Sequence, residues 1–179
     1  MKYPVLKFHR AAAVAAIMIT AIILALIPSA SASETALSAD INIEFKKGLT
    51  AYNLGKFQTA ARIWKRIADK GVGSAQSGLA LLYYTGSGVA KDFGLARKLF
   101  LEAAVQNVPQ AQMFLSLIYR NGDGVRQSYV HSYMWCDIAV GAGDEGASYV
   151  RERIAENMTA DEVAEAQRLS SEWRAFYLK

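Results

Sequence analysis

A pattern of apolar and glycine positions recurs along the chain at a spacing of 36 residues. Residues 81–93 read LLYYTGSGVAKDF, and residues 117–129 read LIYRNGDGVRQSY. Leucine, tyrosine, two glycines and valine keep their places while the residues between them change. Repetition at this length is typical of solenoids, in which each unit buries its apolar face only against its neighbours. The chain is therefore predicted to be a stack of similar units.

Each unit is predicted to be a pair of helices separated by a glycine turn. Residues 75–84 are mostly apolar helix formers, and the two glycines that follow stop the helix because they allow the positive φ angles of a tight turn. A second helix over residues 93–106 has apolar residues at three- and four-residue spacing. Asp92 precedes it, and Ser128 holds the equivalent place in the next unit. Both are predicted N-caps, because short oxygen side chains accept hydrogen bonds from exposed amides.

Two sets of positions in the second helices are predicted to join the helices and the units. Small residues let the two helices of a pair approach closely, and bulky residues fill the space between units. The small set is Ala60, Ala96 and Ser132, and the bulky set is Trp64, Phe100 and Trp135.

Both ends of the repeat region differ from its middle. The first unit lacks the GxGV segment and is predicted to turn at 54–56, which gives it the length of a tetratricopeptide helix pair. A helix over Ala147–Ala155 is interpreted as the first half of an unfinished fourth unit. Thr159 and Glu162 form a predicted capping box, which opens a last helix that ends near Phe176.

Two of these units resemble Sel1-like repeats. The similarity rests on Ala-Gln, Leu, Tyr, Gly-x-Gly-Val and then Ala and an aromatic residue, and the first unit is similar to the tetratricopeptide-like unit that often starts such proteins. The resemblance implies an all-α, right-handed α-solenoid of Sel1-like and tetratricopeptide-like helix pairs with a C-terminal capping helix. The repeat domain is expected over residues 41–178. Its units are expected at about 41–73, 74–109 and 110–145, with capping helices over 146–178.

The N-terminal segment has the layout of a secretory signal peptide. Lys2, Lys7 and Arg10 precede an uncharged apolar run, Ala11–Ile27, and the small residues Ala30–Ala32 follow it. The run of 17 residues would extend about 26 Å as a helix, which is near the lower limit for a membrane span.

Two alternatives follow for this segment. In the favoured one, residues 1–32 are a signal peptide cleaved between Ala32 and Ser33, residues 33–40 are a short linker, and the protein is periplasmic or secreted. In the other, the segment is retained as a membrane anchor.

Charge and cysteine content exclude further classes. The chain has 20 basic and 16 acidic residues, but residues 1–32 hold three basic and no acidic ones, so the remainder has a net charge near +1. No basic stripe typical of nucleic-acid binding remains. Cys136 is the one cysteine, so the chain forms no internal disulfide.

The candidate catalytic and metal motifs lack the context that their chemistry requires. Residues 141–146 match GxGxxG, but no strand precedes them as a dinucleotide site demands. His131, Cys136 and Asp137 lie five and six residues apart, so they do not share a helix face. Asp123 in the GDGV turn is a single carboxylate, too few for calcium. No catalytic residue, cofactor or metal site is predicted.

A binding surface remains. The resemblance implies that the first helix of each unit lines an inner, concave face, where a groove with apolar anchors and one cation suits a peptide or partner helix. The alternative is that the leucines belong to the core. Tyr84 and Arg120 favour the groove because they differ between units while their neighbours match. The predicted groove residues are Phe45, Leu49, Tyr52, Leu81, Tyr84, Met113, Leu117 and Arg120.

The expected function is that of a non-enzymatic exported scaffold or adaptor that binds a protein or peptide in envelope signalling or assembly. The first alternative is a cell-wall-fragment or β-lactam-interacting hydrolase-like protein, although Ser-x-x-Lys and GxSxG are absent after residue 32. The second is a membrane-tethered scaffold. Nucleic acid is not an expected partner, a membrane is one only if the N-terminal segment is retained, and the sequence leaves the oligomeric state open.

Overall fold

The described part of the chain is built from α-helices alone. The structure, a computed structural model, describes residues 30–178, with side chains from residue 37 onward. The prediction of an all-α solenoid of helix pairs with a C-terminal helix is confirmed. The helices are α1 (Ala30–Asn53), α2 (Phe57–Ala68), α3 (Gly73–Thr85), α4 (Phe93–Ala104), α5 (Pro109–Asn121), α6 (Tyr129–Gly141), α7 (Ala147–Ala155) and α8 (Ala160–Tyr177).

The chain divides into two compact units, residues 1–42 and 43–179, with the boundary inside α1. Most of the predicted signal peptide, or anchor, lies outside the described residues. Residues 33–40, predicted to be a linker, belong to α1 in the structure. No helix described from residue 30 onward is long and apolar enough to cross a membrane.

The two glycines of each GxGV turn have different tasks. The first ends α3 or α5 in the left-handed conformation, as predicted. The second also has a positive φ, and it lies against the start of the preceding unit's second helix. A Cβ on Gly88 would lie 2.5 Å from Gln58 N and 2.6 Å from the carbonyl carbon of Phe57, and one on Gly124 would lie 2.8 Å from Phe93 Cβ. The turn therefore joins successive units as well as the two helices of one unit.

The layers between units are filled by side chains of matched size. Trp64 of α2 is 3% exposed, and a Cβ added at Gly48 or Gly78 would overlap its ring. In the next layer Phe100 and Phe114 occupy the positions equivalent to Trp64 and Gly78, and their rings stack with centroids 5.0 Å apart and planes 8° apart. One layer therefore pairs a tryptophan with a glycine, and the next pairs two phenylalanines. In both cases the side chains fill the layer.

The third layer contains smaller side chains. Cys136 and Val150 lie 36 residues after Phe100 and Phe114, and they pack in one apolar cluster. A thiol and an isopropyl group therefore stand where the preceding layer has two aromatic rings. The predicted packing positions are confirmed, since Ala60, Ala96, Ser132, Trp64, Phe100 and Trp135 are all buried.

The predicted helix caps are confirmed. The side chains of Asp92 and Ser128 each accept a hydrogen bond from the backbone N–H three residues later, at 2.9 and 3.2 Å. Thr159 and Glu162 form both hydrogen bonds of the capping box at the start of α8. Because these bonds satisfy amides that a helix leaves unpaired, they define where the helices begin.

Asp137 of α6 fastens α7 and α8 to the stack. Its carboxylate accepts hydrogen bonds from Arg151 Nη1 and Ser170 Oγ, both at 2.6 Å, and from Arg174 Nη2 at 3.1 Å. Its side chain is 13% exposed. Burial alone would raise the pKa of Asp137, but the hydrogen bonds from Ser170, Arg151 and Arg174 outweigh it and hold the pKa below its usual value. The carboxylate is therefore ionised and held from two helices.

Replacing Gly88 by alanine is expected to lower the free energy of unfolding by about 2–4 kcal/mol, because the new methyl group meets backbone atoms of the preceding unit in addition to the positive φ. Gly55→Ala is the matched control, since Gly55 also has a positive φ (70°) but nothing lies within 4 Å of an added Cβ. We expect the control to lose only about 1–2 kcal/mol. Urea unfolding of both variants measures the difference, and equal losses would contradict the contact between units.

Asp137→Asn is expected to lower the free energy of unfolding at pH 7 by about 2–3 kcal/mol, because two partly buried guanidinium groups lose their counter-ion. Since the folded pKa of Asp137 is depressed, its ionised form contributes fully above the unfolded pKa, and this stability is lost as the pH falls through the folded pKa.

The difference between wild type and Asp137→Asn should therefore be constant near neutral pH and shrink as the pH falls below about 5 in urea unfolding measurements. Asp69→Asn, which removes an exposed pair with Lys65, is the control and should change stability by less than about 1 kcal/mol. A pH-independent difference would show that the charge of Asp137 is not what stabilises the contact.

Candidate functional site

Three of the predicted groove residues line one open pocket. This pocket, here called the α5–α7 pocket, lies between the first helices of the third and fourth units and has a volume of about 270 Å³. Its lining residues are Met113, Phe114, Ser116, Leu117 and Arg120 of α5 and Val150 of α7.

Small side chains in the third layer give a physical reason for the pocket. Val150 lines it directly, and Ser116 at its wall contacts Cys136 Sγ at 3.1 Å and Ser132 Oγ at 2.9 Å. These contacts satisfy the serine hydroxyl inside the protein, so it presents no unpaired polar group to the pocket. Apart from Arg120, the lining is therefore suited to an apolar group.

Arg120 forms the polar edge of the pocket. Its backbone carbonyl accepts a hydrogen bond from Gln127 Nε2 at 2.8 Å, which fixes the end of α5 against the following turn. The side chain is exposed and, within the described part of the chain, its guanidinium has no hydrogen bond or ion pair. A cation without a counter-ion beside an apolar pocket is available to an external anion.

Tyr84, at the position equivalent to Arg120, makes a contact between units. Its hydroxyl donates a hydrogen bond to Asp123 Oδ2 at 2.6 Å, and its ring packs against Phe93 and Phe114 with centroid distances of 5.4 and 5.9 Å. Burial and then the Asp123 carboxylate raise the pKa of Tyr84 to about 12. Asp123 also accepts from Asn121 at 3.1 Å. The hydroxyl is therefore committed within the protein, and a role of Tyr84 in the groove stays a prediction.

The remaining predicted groove residues lie in two environments. Phe45 and Tyr52 of α1 pack around Trp64, with ring centroids 5.9 and 5.7 Å from the indole. Leu81 is partly buried against the main core cluster. Leu49 is 42% exposed. These residues could therefore add partly exposed surface to a binding face, whereas the residues of α5 and α7 line a pocket.

Sequence analysis missed the contribution of α7. Tyr149 and Val150 lie 36 residues after Met113 and Phe114, and Tyr149 is 69% exposed. The same spacing that identified the repeat would have identified both positions. They were missed because the predicted groove was limited to the first three units, although residues 147–155 were interpreted as the first half of an unfinished fourth unit.

The three residues considered for a catalytic or metal site lie in different environments. Cys136 is fully buried, and burial raises the pKa of its thiol although the hydrogen bond with Ser116 opposes this. His131 is exposed and stacks on Tyr119 with ring centroids 5.0 Å apart. Asp137 is bound by arginines, as described above. Within residues 30–178, no group of three or more His, Cys, Asp or Glu side chains is arranged to hold a metal ion.

The GxGxxG match lies in the link between α6 and α7. There, Asp144 Oδ1 accepts hydrogen bonds from the backbone N–H groups of Gly146 and Ala147, both at 3.0 Å. A carboxylate of the chain itself therefore occupies the amides that a phosphate would need at the start of α7.

Comparisons with known proteins agree with the repeat architecture. The Sel1 repeat model matches residues 73–107 and 109–144. A crystal structure of c5321, described as a protective antigen present in uropathogenic Escherichia coli strains displaying an SLR fold, is similar with a TM-score of 0.73 and 27% identity, over 81% of this chain and 32% of that one. A Sel1 repeat protein from Oxalobacter formigenes has a TM-score of 0.60 and 25% identity, over 74% of this chain and 58% of that one.

The chain thus matches about a third of the length of c5321 and somewhat more than half of the Oxalobacter protein. No curated protein matches it at a significant level. Two consecutive stretches of the chain therefore match the Sel1 repeat, and both fold as the helix pairs described above.

Proposed function

We propose that the chain is an exported, non-enzymatic adaptor that binds a protein or peptide of the bacterial envelope along the first-helix face, the side formed by positions 45, 49 and 52 of α1 and their equivalents in α3, α5 and α7. The observation that carries this proposal is the α5–α7 pocket, which is open, apolar in most of its lining and edged by Arg120, whose guanidinium has no ion pair among the described residues. Apolar anchors inserted into such pockets supply much of the affinity of protein interfaces.

The family supports binding as the general activity. Sel1 repeats form a solenoid fold that generally serves as a scaffold for protein–protein interaction. Solenoids suit this task because stacked units present a continuous row of first helices. Identity of the partner, envelope location and the contact residues belong to the proposal.

The side chains of the described residues favour binding over catalysis. A nucleophile needs a base within hydrogen-bond reach and a group that orients the base. Cys136 is buried with a raised pKa, and its sulfur contacts Ser116 and Met113. The Ser128 hydroxyl lies 2.9 Å from His131 Nδ1, but Ser128 is the N-cap of α6, and within residues 30–178 no hydrogen bond to His131 Nε2 orients the ring.

Export is proposed from the N-terminal sequence, and mass spectrometry of the purified protein tests it. We expect the mature chain to begin at Ser33, because Ala30–Ala32 have the small side chains that signal peptidase selects. An intact N-terminal segment in the membrane fraction would instead support the tethered alternative.

Photocrosslinking tests the binding face. A photoreactive amino acid at Leu117 or Tyr149 should crosslink one partner, identified by mass spectrometry, because both positions lie on the first-helix face. Leu54, which is 63% exposed in the α1–α2 turn, is the control position and should not crosslink that partner. Adding Val150→Phe, which introduces an aromatic side chain at the pocket, should reduce the crosslink at Leu117 at least about tenfold. Identical products at Leu117 and Leu54 would refute the assignment of the face.

A further inference from the structure

The α5–α7 pocket has the size of a side-chain site. Its volume of about 270 Å³ is just below the ~300–1,000 Å³ of pockets that enclose whole drug-sized ligands. Met113, Leu117 and Val150 provide aliphatic and thioether surface, and Met113 adapts to different shapes because its chain is unbranched and flexible. Tyr149, next to Val150 and 69% exposed, extends this apolar surface along α7. The occupant therefore contributes one large apolar side chain.

Two acidic residues at related positions of the repeat, Asp123 in the turn after α5 and Glu156 at the end of α7, already have partners of their own. Asp123 accepts hydrogen bonds from Tyr84 and Asn121. Glu156, which lies 36 residues after Arg120, pairs with Arg153 at 2.8 Å. In the part of the chain that the structure describes, the Arg120 guanidinium therefore has no counter-ion at the edge of this apolar surface. A carboxylate complements it best, because the planar guanidinium can donate two parallel hydrogen bonds to it.

The spacing of the two features limits the ligand further. Leu117 and Arg120 are three residues apart on α5, so they share a face with Cβ atoms about 5–6 Å apart. A peptide that fills the pocket and reaches Arg120 must therefore carry both groups on one side, two residues apart if it is extended and three or four apart if it is helical.

We infer that the α5–α7 pocket selects peptide segments of a partner protein in which a large apolar residue and an acidic residue lie on the same side, two to four residues apart, with the apolar side chain inserted among Met113, Leu117 and Val150 and the carboxylate bound to Arg120. This inference rests on the proposed function and adds the chemistry of the partner to it.

Selection from a phage-displayed library of random peptides tests the inference with the chain lacking residues 1–32, the form expected after export. Wild type should enrich peptides with an apolar residue two to four positions away from Asp or Glu. With Arg120→Glu, the enriched peptides should contain Lys or Arg in place of Asp or Glu. A substitution that only destabilised the fold would not reverse the preferred charge. Val150→Phe should abolish the apolar preference. Arg126→Gln is the control, because Arg126 is also an exposed arginine but lines a different pocket.

The affinities of one selected peptide for wild type and for the two variants measure how much Arg120 contributes to binding. Calorimetry should show binding weakened about tenfold or more by Arg120→Gln, since a charge-assisted hydrogen bond is lost, and unchanged by Arg126→Gln. Equal circular dichroism spectra and urea midpoints would confirm that both variants fold.

Each outcome separates the inference from the proposed function. Enriched apolar peptides without an acidic preference, or an affinity that Arg120→Gln leaves unchanged, would overturn the inference while binding at the face stands. No enrichment by wild type would also overturn the inference. The photocrosslink at Leu117 then decides the proposed function independently.

Discussion

Contact between consecutive helix pairs is the constraint on which the rest of the structure depends. A single pair leaves one face of bulky side chains in water, so each pair is stable only against its neighbour. Trp64 illustrates this, because its ring is buried by a helix of its own pair and by α3 of the next unit, with Gly48 and Gly78 leaving the space that it fills. The second glycine of each GxGV turn adds a backbone contact between the same units. The pattern in the sequence repeats because this one interface repeats.

Features determined by neighbouring residues could be predicted from the sequence. Asp92, Ser128 and Thr159 were identified as caps because each bonds a backbone amide three residues away. The all-helical fold followed from the repeat and its resemblance to known units. The contact of Gly88 with Phe57 was not predicted, since it depends on the distance between two units, which no local pattern encodes. The same applies to Asp137, whose partners lie 14 to 37 residues later in the chain.

The candidate site could be predicted only in part for the same reason. Helical spacing placed Met113, Leu117 and Arg120 on one face, and the structure shows that they line one pocket. Tyr84 has the same position in its unit, yet its hydroxyl binds Asp123 of the following turn, so equivalent positions do not have equivalent environments. Which positions remain open to solvent depends on the volume of the neighbouring layer, and this is a property of pairs of units.

The location of the pocket follows from the way the third layer is packed. Cys136 and Val150 replace the aromatic pair of the preceding layer, so this layer encloses less apolar volume at the face where the pocket opens. The attachment of α7 and α8 relies additionally on polar contacts, with Arg151, Ser170 and Arg174 all bound to Asp137. The Asp137 carboxylate, held by several donors with its side chain 13% exposed, positions these helices by hydrogen bonds. The interface beside the α5–α7 pocket can thus remain incompletely packed, because hydrogen bonds to Asp137 fix α7 and α8 on its other side. A large apolar side chain entering the α5–α7 pocket would occupy the volume that an aromatic residue fills one layer earlier, so binding would use the same packing that holds the repeats together.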